Sequence, residues 1–182
     1  MRLFVALTPP ADAMAELEAA VAPLRDGWPD LRWASQDRWH VTLAFLGEVA
    51  EPKLAGLATR LERAAARHPG QQLTIGRAGA FPGARKAQVL IARIEPLTDL
   101  AALAASVAAG ARRAGASAPD EGRKYRPHLT LARSRQPADI TDLIQSLAGF
   151  AGQPFTTTEI HLIKSHLGPP PSYETLASYP LA

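Results

Sequence analysis

Two short stretches constrain this chain more than anything else in it. The first is Trp39-His40-Val41-Thr42-Leu43-Ala44-Phe45-Leu46-Gly47, and the second is Pro127-His128-Leu129-Thr130-Leu131-Ala132-Arg133. Each holds a His, one aliphatic residue, a Thr and then a further apolar run. Successive side chains of a β-strand point to opposite faces. His40 and Thr42 therefore share one face, with Val41 and Leu43 on the other. His128 and Thr130 stand in the same relation to Leu129 and Leu131. Each segment offers an imidazole and a hydroxyl side by side, while its aliphatic residues are pinned into a core. One buried His on a strand is usually structural, but packing has no need for the same His-x-Thr twice.

The remaining chain reads as scaffolding for these pairs. Residues 2–7 form a buried strand closed by Pro9-Pro10, which open a helix from about 11 to 25 with Met14, Leu17, Val21 and Leu24 at helical spacing. Gly27, Pro29 and Asp30 break it. Trp33 starts a short strand, and Gly47 ends the first His-x-Thr strand. A second helix covers about 51–67, stopping at Pro69-Gly70. Strands near 72–80 and 88–94 flank a basic turn, Phe81-Pro82-Gly83-Ala84-Arg85-Lys86. An Ala-rich helix from Pro96 to about 114 precedes a charged loop at 115–126 and the second His-x-Thr strand. A short helix after Pro137 reaches about 147. Strands near 155–165 and 173–180 finish the sequence, joined by the turn Gly168-Pro169-Pro170-Pro171.

That order contains a repeat of pattern. Strand 2–7, Pro9, helix and His40 match strand 89–94, Pro96, helix and His128. Pro9 and Pro96 lie 87 positions apart, and His40 and His128 lie 88 apart. Side-chain identity between the halves is low. The repeat implies two similar lobes, each with one His-x-Thr pair, and a pseudo-twofold axis would set the imidazoles across a groove from each other. The expectation is one bilobal domain spanning 1–182.

Hydrophobic residues make up 47% of the chain, enough for a real core and too many for disorder. No apolar run approaches a membrane span, and the opening Met1-Arg2-Leu3-Phe4-Val5-Ala6-Leu7 reads as a strand rather than a signal peptide. The chain is thus expected to be a cytoplasmic monomer without membrane contact. It has no cysteine, which excludes disulfides, thiol nucleophiles and Cys-type zinc sites. Twenty Lys and Arg against 17 Asp and Glu are a mild basic excess, compatible with anionic partners.

Two imidazoles flanking one phosphate suit acid–base transfer at phosphorus. Imidazole titrates near neutrality, so one His can be neutral and the other charged. One takes a proton from the attacking water and the other donates to the leaving oxygen on the far side. Thr42 and Thr130 can donate to the non-bridging oxygens. A metal site lacks its usual pattern: there is no His-Glu-x-x-His and no Cys, and zinc would want a third protein ligand, for which His161 is the one plausible strand candidate. No metal and no cofactor are expected.

With these residues in view, the chain resembles the 2H phosphoesterase superfamily, named for its two His-x-Thr/Ser motifs, and within it the RNA 2′,3′-cyclic phosphodiesterases, also called 2′-5′ RNA ligases. The resemblance rests on Arg2–Leu7, His40–Gly47, Arg126–Arg133 and the terminal Lys164-Ser165-His166-Leu167-Gly168-Pro169 followed by Tyr173. It implies an α+β, bilobal fold with two antiparallel sheets lining a central groove and helices outside. It implies metal-independent opening of RNA or nucleotide 2′,3′-cyclic phosphate ends to 2′-phosphomonoesters, and in some relatives joining of 2′-5′ linked RNA. His40 as general acid and His128 as general base follow from the resemblance alone, since the repeat is symmetric. A non-catalytic RNA-binding module, or a relative acting on another small cyclic phosphate, remains the alternative.

Other residues carry weaker signals. Arg133 lies three positions after Thr130 and so faces away from His128 in a regular strand, unless the strand twists it back to contact substrate. Arg126 and Tyr125 precede the second motif and can line the groove mouth. Arg85 and Lys86 sit on a turn, where solvated charge is common. Phe81 and Trp39 can stack on a base, against core packing as the plainer role. His68 precedes Pro69-Gly70 at a helix end, His161 can support the groove from within its sheet, and Ser165 fits the family pattern without a derivable role.

Overall fold

The computed structural model describes residues 1–96, 98–116 and 123–182. Part of the loop expected at 115–126 therefore lies outside the described residues. The elements run β1 (Arg2–Leu7), α1 (Ala11–Val21), β2 (Arg32–Trp33), β3 (Val41–Glu48), α2 (Leu54–Ala65), β4 (Gln71–Phe81), β5 (Ala87–Pro96), α3 (Leu100–Arg113), β6 (His128–Ala138), α4 (Thr141–Ser146), β7 (Phe155–Thr157), β8 (Glu159–His166) and β9 (Ser172–Pro180). Two antiparallel sheets result, one ordered β3-β1-β8-β9 and the other β2-β6-β5-β4-β7.

The sheets share a plan. In each, a His-x-Thr strand (β3 or β6) pairs with the strand that precedes the matching helix (β1 or β5), and two more strands extend the sheet beyond the latter, while β2 adds a fifth strand at the β6 edge of the second sheet. The repeat is not a simple duplication, however. The place that β4 fills ahead of β5 in sequence is filled beside β1 by β8, from the far end of the chain. The expected single strand at 155–165 is accordingly two strands in different sheets. β7 pairs with β4 and β8 pairs with β1, with the switch at Thr158.

Alternation sets which face is buried. On β1, Leu3, Val5 and Leu7 belong to the main core, whereas Phe4 and Ala6 form a separate small cluster with Ile163 on the opposite face. Leu129 and Leu131 of β6 are fully buried in the main core, which sends His128 and Thr130 the other way. The helices close the core side. α2 buries Leu57, Leu61, Ala64 and Ala65, an i, i+4, i+7, i+8 stripe, and packs against α3 and β9. The helices approach closely at Gly110, where a Cβ would come within 3.3 Å of the Arg60 carbonyl oxygen. α3 also packs on β3, and its first turn is capped by Asp99, whose carboxylate accepts from Ala102 N at 3.0 Å.

Several expected boundaries move for local reasons. α1 stops at Val21 and continues as a 3-10 turn over Ala22–Gly27, because Pro23 offers no N–H to extend the α ladder. The second helix also begins with a 3-10 turn, Glu51–Lys53, that contains Pro52. β6 runs past Arg133 to Ala138, so the following helix is short, and its start is held by the Asp139 carboxylate accepting from Thr141 N and Oγ1.

Candidate active site

Residues paired directly across antiparallel strands share a face, so the register gives each groove wall row by row. On the β6 sheet, His128 lies opposite Arg93, Thr130 opposite Ile91, and Arg133 opposite Val89. On the β3 sheet, Thr42 lies in a row with Ala6, His161 and Ser178, and Phe45 in a row with Phe4, Ile163 and Thr175. His40 enters immediately before β3 and stacks at 4.7 Å on Phe4.

Arg133 shares the groove face with Thr130, contrary to the parity of a regular strand. A β-bulge between Leu90 and Ile91 on the partner register leaves Leu131 unpaired, and each extra residue turns the following side chains over. Leu131 and Ala132 are consequently both buried. β3 carries bulges too, which bring Phe45 to the face of Thr42, and Gly47 at φ 67° accommodates one of them. Phe45 thus stands three residues after Thr42 as Arg133 stands three after Thr130, and the two motifs part company there.

Both imidazoles are held alike. His40 Nδ1 lies 2.8 Å from the Arg38 carbonyl oxygen, and His128 Nδ1 lies 2.7 Å from that of Arg126. A carbonyl only accepts, so each Nδ1 carries the proton and donates it. The neutral ring then presents a bare Nε2 lone pair. Each ring also meets an aromatic edge, His40 against Tyr173 at 5.2 Å and His128 against Phe81 at 5.1 Å.

Burial disfavours the charged form of both rings. His40 is pushed down to about 4, chiefly by desolvation; the Arg38 carbonyl opposes this, and the positive charges of His128 and Arg133 add to it. His128 is lowered by desolvation and by Arg133, with the Arg126 carbonyl opposing. Thr42 of the first motif and His128 of the second line one cavity, which brings the two motifs together. Tyr125 ties them together directly: its hydroxyl donates to the Thr42 carbonyl at 2.9 Å, and burial pushes its pKa up.

The groove opens into a cavity of about 840 Å³ whose lining includes Thr42, Phe45, Phe81, Tyr125, Arg126 and His128. Arg126 is exposed there and contributes its carbonyl to His128 as well as its charge to the rim. Trp39, by contrast, is 2% exposed and is core. His161 sits within its sheet, hydrogen-bonded to Ser178 Oγ at 2.8 Å and 3.9 Å from Glu159. Ser165 lies across from Tyr173, His166 pairs with Glu174 on the surface, and His68 bonds Ser106 on α3. Among the described residues no three His, Asp or Glu side chains converge as metal ligands would, and no helix is long and apolar enough to cross a membrane.

The sequence reading did not find the aromatic wall made by Phe4, Phe45 and Tyr173, nor Arg32 and Arg93 on the opposite wall. The wall draws on β1, β3 and β9, which no local pattern connects. Superposing the two motifs would have flagged Phe45, since it falls where the other motif has Arg133.

The sequence model of the 2′-5′ RNA ligase superfamily matches residues 9–169. The chain belongs to this superfamily. It is 33% identical to the Escherichia coli RNA 2′,3′-cyclic phosphodiesterase over 140 residues, which cover 75% of this chain and 74% of that one. The Archaeoglobus fulgidus protein of the same name is 26% identical, covering 97% of this chain and 98% of its own. The Geobacillus stearothermophilus protein, also of that name, is 26% identical over 98% of this chain, and the chain spans 56% of its length. Among solved structures, a Thermus thermophilus protein superposes with a TM-score of 0.83 at 26% identity, covering 100% of this chain and 98% of that one. Escherichia coli LigT complexed with 3′-AMP superposes with a TM-score of 0.76 at 27% identity, covering 99% and 97%.

Proposed function

We propose that this chain is a metal-independent RNA 2′,3′-cyclic phosphodiesterase that opens the cyclic phosphate to a 2′-phosphomonoester by two-histidine acid–base catalysis. The observation that carries the reading is the matched pair of imidazoles, each with Nδ1 spent on a backbone carbonyl and Nε2 left for chemistry. The names of the Escherichia coli, Archaeoglobus fulgidus and Geobacillus stearothermophilus relatives support the same reaction.

The phosphate sits between His40 and His128, with Thr42 and Thr130 donating to its non-bridging oxygens and Arg133 and Arg126 balancing its charge. His128 Nε2 takes a proton from water as the water oxygen attacks phosphorus. The P–O3′ bond breaks, and His40 delivers its Nε2 proton to O3′. In-line displacement requires the two roles on opposite sides of phosphorus, which two walls supply. His40 is neutral in the empty groove, and the bound anion recharges it: a negative charge raises an imidazole pKa, most strongly where burial leaves the field unscreened. A ribose hydroxyl in place of water would give a 2′-5′ linkage by the same steps.

Purified protein should hydrolyse a nucleoside 2′,3′-cyclic phosphate in EDTA and release the 2′-phosphate. Loss of activity in EDTA with recovery on adding zinc or manganese would end the metal-free scheme. His40→Ala and His128→Ala should each lose about 10²–10⁴-fold while remaining folded. A nitrophenyl phosphodiester, whose leaving group needs no proton, should restore much of the His40→Ala rate relative to wild type and none of the His128→Ala rate. The reverse pattern would exchange the two roles.

A further inference from the structure

The scaffold repeats, but it treats the two imidazoles unequally. Among the described residues His128 has one ring neighbour, Phe81, at 5.1 Å. His40 has two. Phe4 of β1 lies along it, with ring centroids 4.7 Å apart and planes inclined by 35°, and Tyr173 of β9 stands across it at 5.2 Å and 87°. Tyr173 also stands across Phe4, at 5.2 Å and 77°. The three rings brace one another, and Tyr173 is the outermost: it is 37% exposed, whereas Phe4 is 4% exposed.

The ring contacts do something that the backbone bond to His40 cannot. His40 Nδ1–H donates to the carbonyl of Arg38, only two residues back. That bond ties the ring to its own segment and leaves it free to tilt about the Nδ1–oxygen line. The torsion that sets an imidazole plane is broad, so neighbours decide where it rests. Phe4 limits the tilt from the face of the ring, and Tyr173, perpendicular to both rings, closes a second direction. Both are anchored in the sheet, Phe4 opposite Phe45 and Ile163, and Tyr173 opposite Ser165. Next to Tyr173, Glu174 is held by His166 at 2.8 Å. Among the described residues the Tyr173 hydroxyl makes no hydrogen bond, so the contact is made by the ring.

Unequal bracing suits unequal tasks. A general base takes its proton from a water molecule that can turn to meet it. A general acid must meet O3′, an oxygen fixed in the ribose, and so needs the closer aim. We propose that Tyr173 is a positioning residue for His40: its ring, with that of Phe4, holds the imidazole plane so that Nε2 faces the leaving oxygen. The inference rests on the cyclic phosphodiesterase reading with His40 as acid. The same two rings exclude water from His40, and desolvation is the largest cause of its lowered pKa. The charged groups that face His40, His128 and Arg133, stand on the opposite wall and stay in place when Tyr173 is changed.

Tyr173→Phe, Tyr173→Leu and Tyr173→Ala test this on a nucleoside 2′,3′-cyclic phosphate and on the nitrophenyl phosphodiester. Tyr173→Phe should keep wild-type rates. Tyr173→Ala should lose about tenfold in kcat on the nucleoside cyclic phosphate with KM nearly unchanged. Most of that loss should disappear on the nitrophenyl substrate, whose leaving group needs no proton. Tyr173→Leu, which keeps apolar bulk without a flat ring, should show the same pattern at smaller size and carries the test if Tyr173→Ala is unfolded. In ¹H–¹⁵N titrations of either ring-deleting variant, His40 should move up from about 4 towards the usual 6.5 while His128 stays. A loss in Tyr173→Phe as large as in Tyr173→Ala would overturn the proposal, since the hydroxyl would then be acting on the substrate. A raised KM with kcat intact would overturn it too, by making the ring a substrate platform, as would equal losses on both substrates or an unmoved His40 titration. Each of these results leaves hydrolysis by wild type, and hence the proposed activity, standing. Failure of wild type to hydrolyse either substrate removes both readings.

Discussion

His40 binds its proton at the wrong end for a resting acid. Its Nδ1–H is committed to the Arg38 carbonyl, and burial holds the second protonation at about 4 against a usual 6.5. A depressed histidine makes stability fall on acidification. Between pH 6.5 and 4 the unfolded ring is protonated and the folded one is not, so the unfolded state binds more protons. The contribution is fully present above about 6.5 and is lost as pH falls through the folded value. One unit is worth about 1.4 kcal/mol, which bounds the term at about 3 kcal/mol. Urea unfolding at pH 7 and pH 4.5 should therefore show a smaller difference for His40→Gln than for wild type; equal differences would remove His40 from the acid limb. Arg133 depresses both imidazoles by its charge. Arg133→Ala should then move the ¹H–¹⁵N titrations of both rings to higher pH while weakening inorganic phosphate binding. An unmoved His128 titration would mean that the guanidinium is turned away.

At the level of elements, the extra residues in the strands decide what reaches the groove. Period-2 reading of β6 puts Arg133 on the core side, and the bulge at Leu131 reverses it. Sequence alone carries no mark of that bulge, because Leu131 and Ala132 are both apolar and satisfy the core in either register. In β3 the matching bulge, at Leu43, is equally silent, but a second irregularity beside it, at Leu46, leaves a trace, since Gly47 at φ 67° occupies a backbone region that costs an L-residue roughly 1–2 kcal/mol. Gly47→Ala should lose about that much stability in chemical denaturation and should raise KM more than it lowers kcat, because Phe45 rather than His40 lies next to the distortion. A stability change near zero would say that the backbone relaxes without strain. The His-x-Thr pairs were legible because their chemistry and their alternation coincide. β1, α2 and the Ala-rich α3 were legible from period and from Pro punctuation. The division of 155–165 at Thr158 was not legible, since β7 and β8 are separated by a single residue with no Gly or Pro to mark the break, and only their partners, β4 and β1, tell them apart.

For the molecule as a whole, the pseudo-twofold plan raises the question of what keeps two walls in register at the distance one phosphate needs. Edge strand β2 is one tie, crossing from the N-terminal half to β6. β7 and β8 are another, since consecutive strands enter opposite sheets. Neither touches the reacting groups. Tyr125 does: it leads into the His128 motif, packs against the main core, and donates its hydroxyl to the carbonyl of Thr42 inside the His40 motif. The bond uses backbone at the Thr42 end, so Thr42→Ala leaves it in place and Tyr125→Phe removes it with little change of shape. A hydrogen bond of this kind contributes about 0.5–1.5 kcal/mol net, which for a chain of this size corresponds to a fall in Tm of about 2–4 °C per kcal/mol. Acid and base act together in one in-line displacement, and a small misplacement of either is felt in the chemical step. Tyr125→Phe should therefore lower kcat several-fold with KM nearly unchanged, alongside the small fall in Tm, whereas a merely structural bond would lower Tm and leave kcat alone. The mutant should also keep the wild-type response to the nitrophenyl substrate only in part, since that substrate relieves the demand on His40 but not the need for His128 to face it across phosphorus.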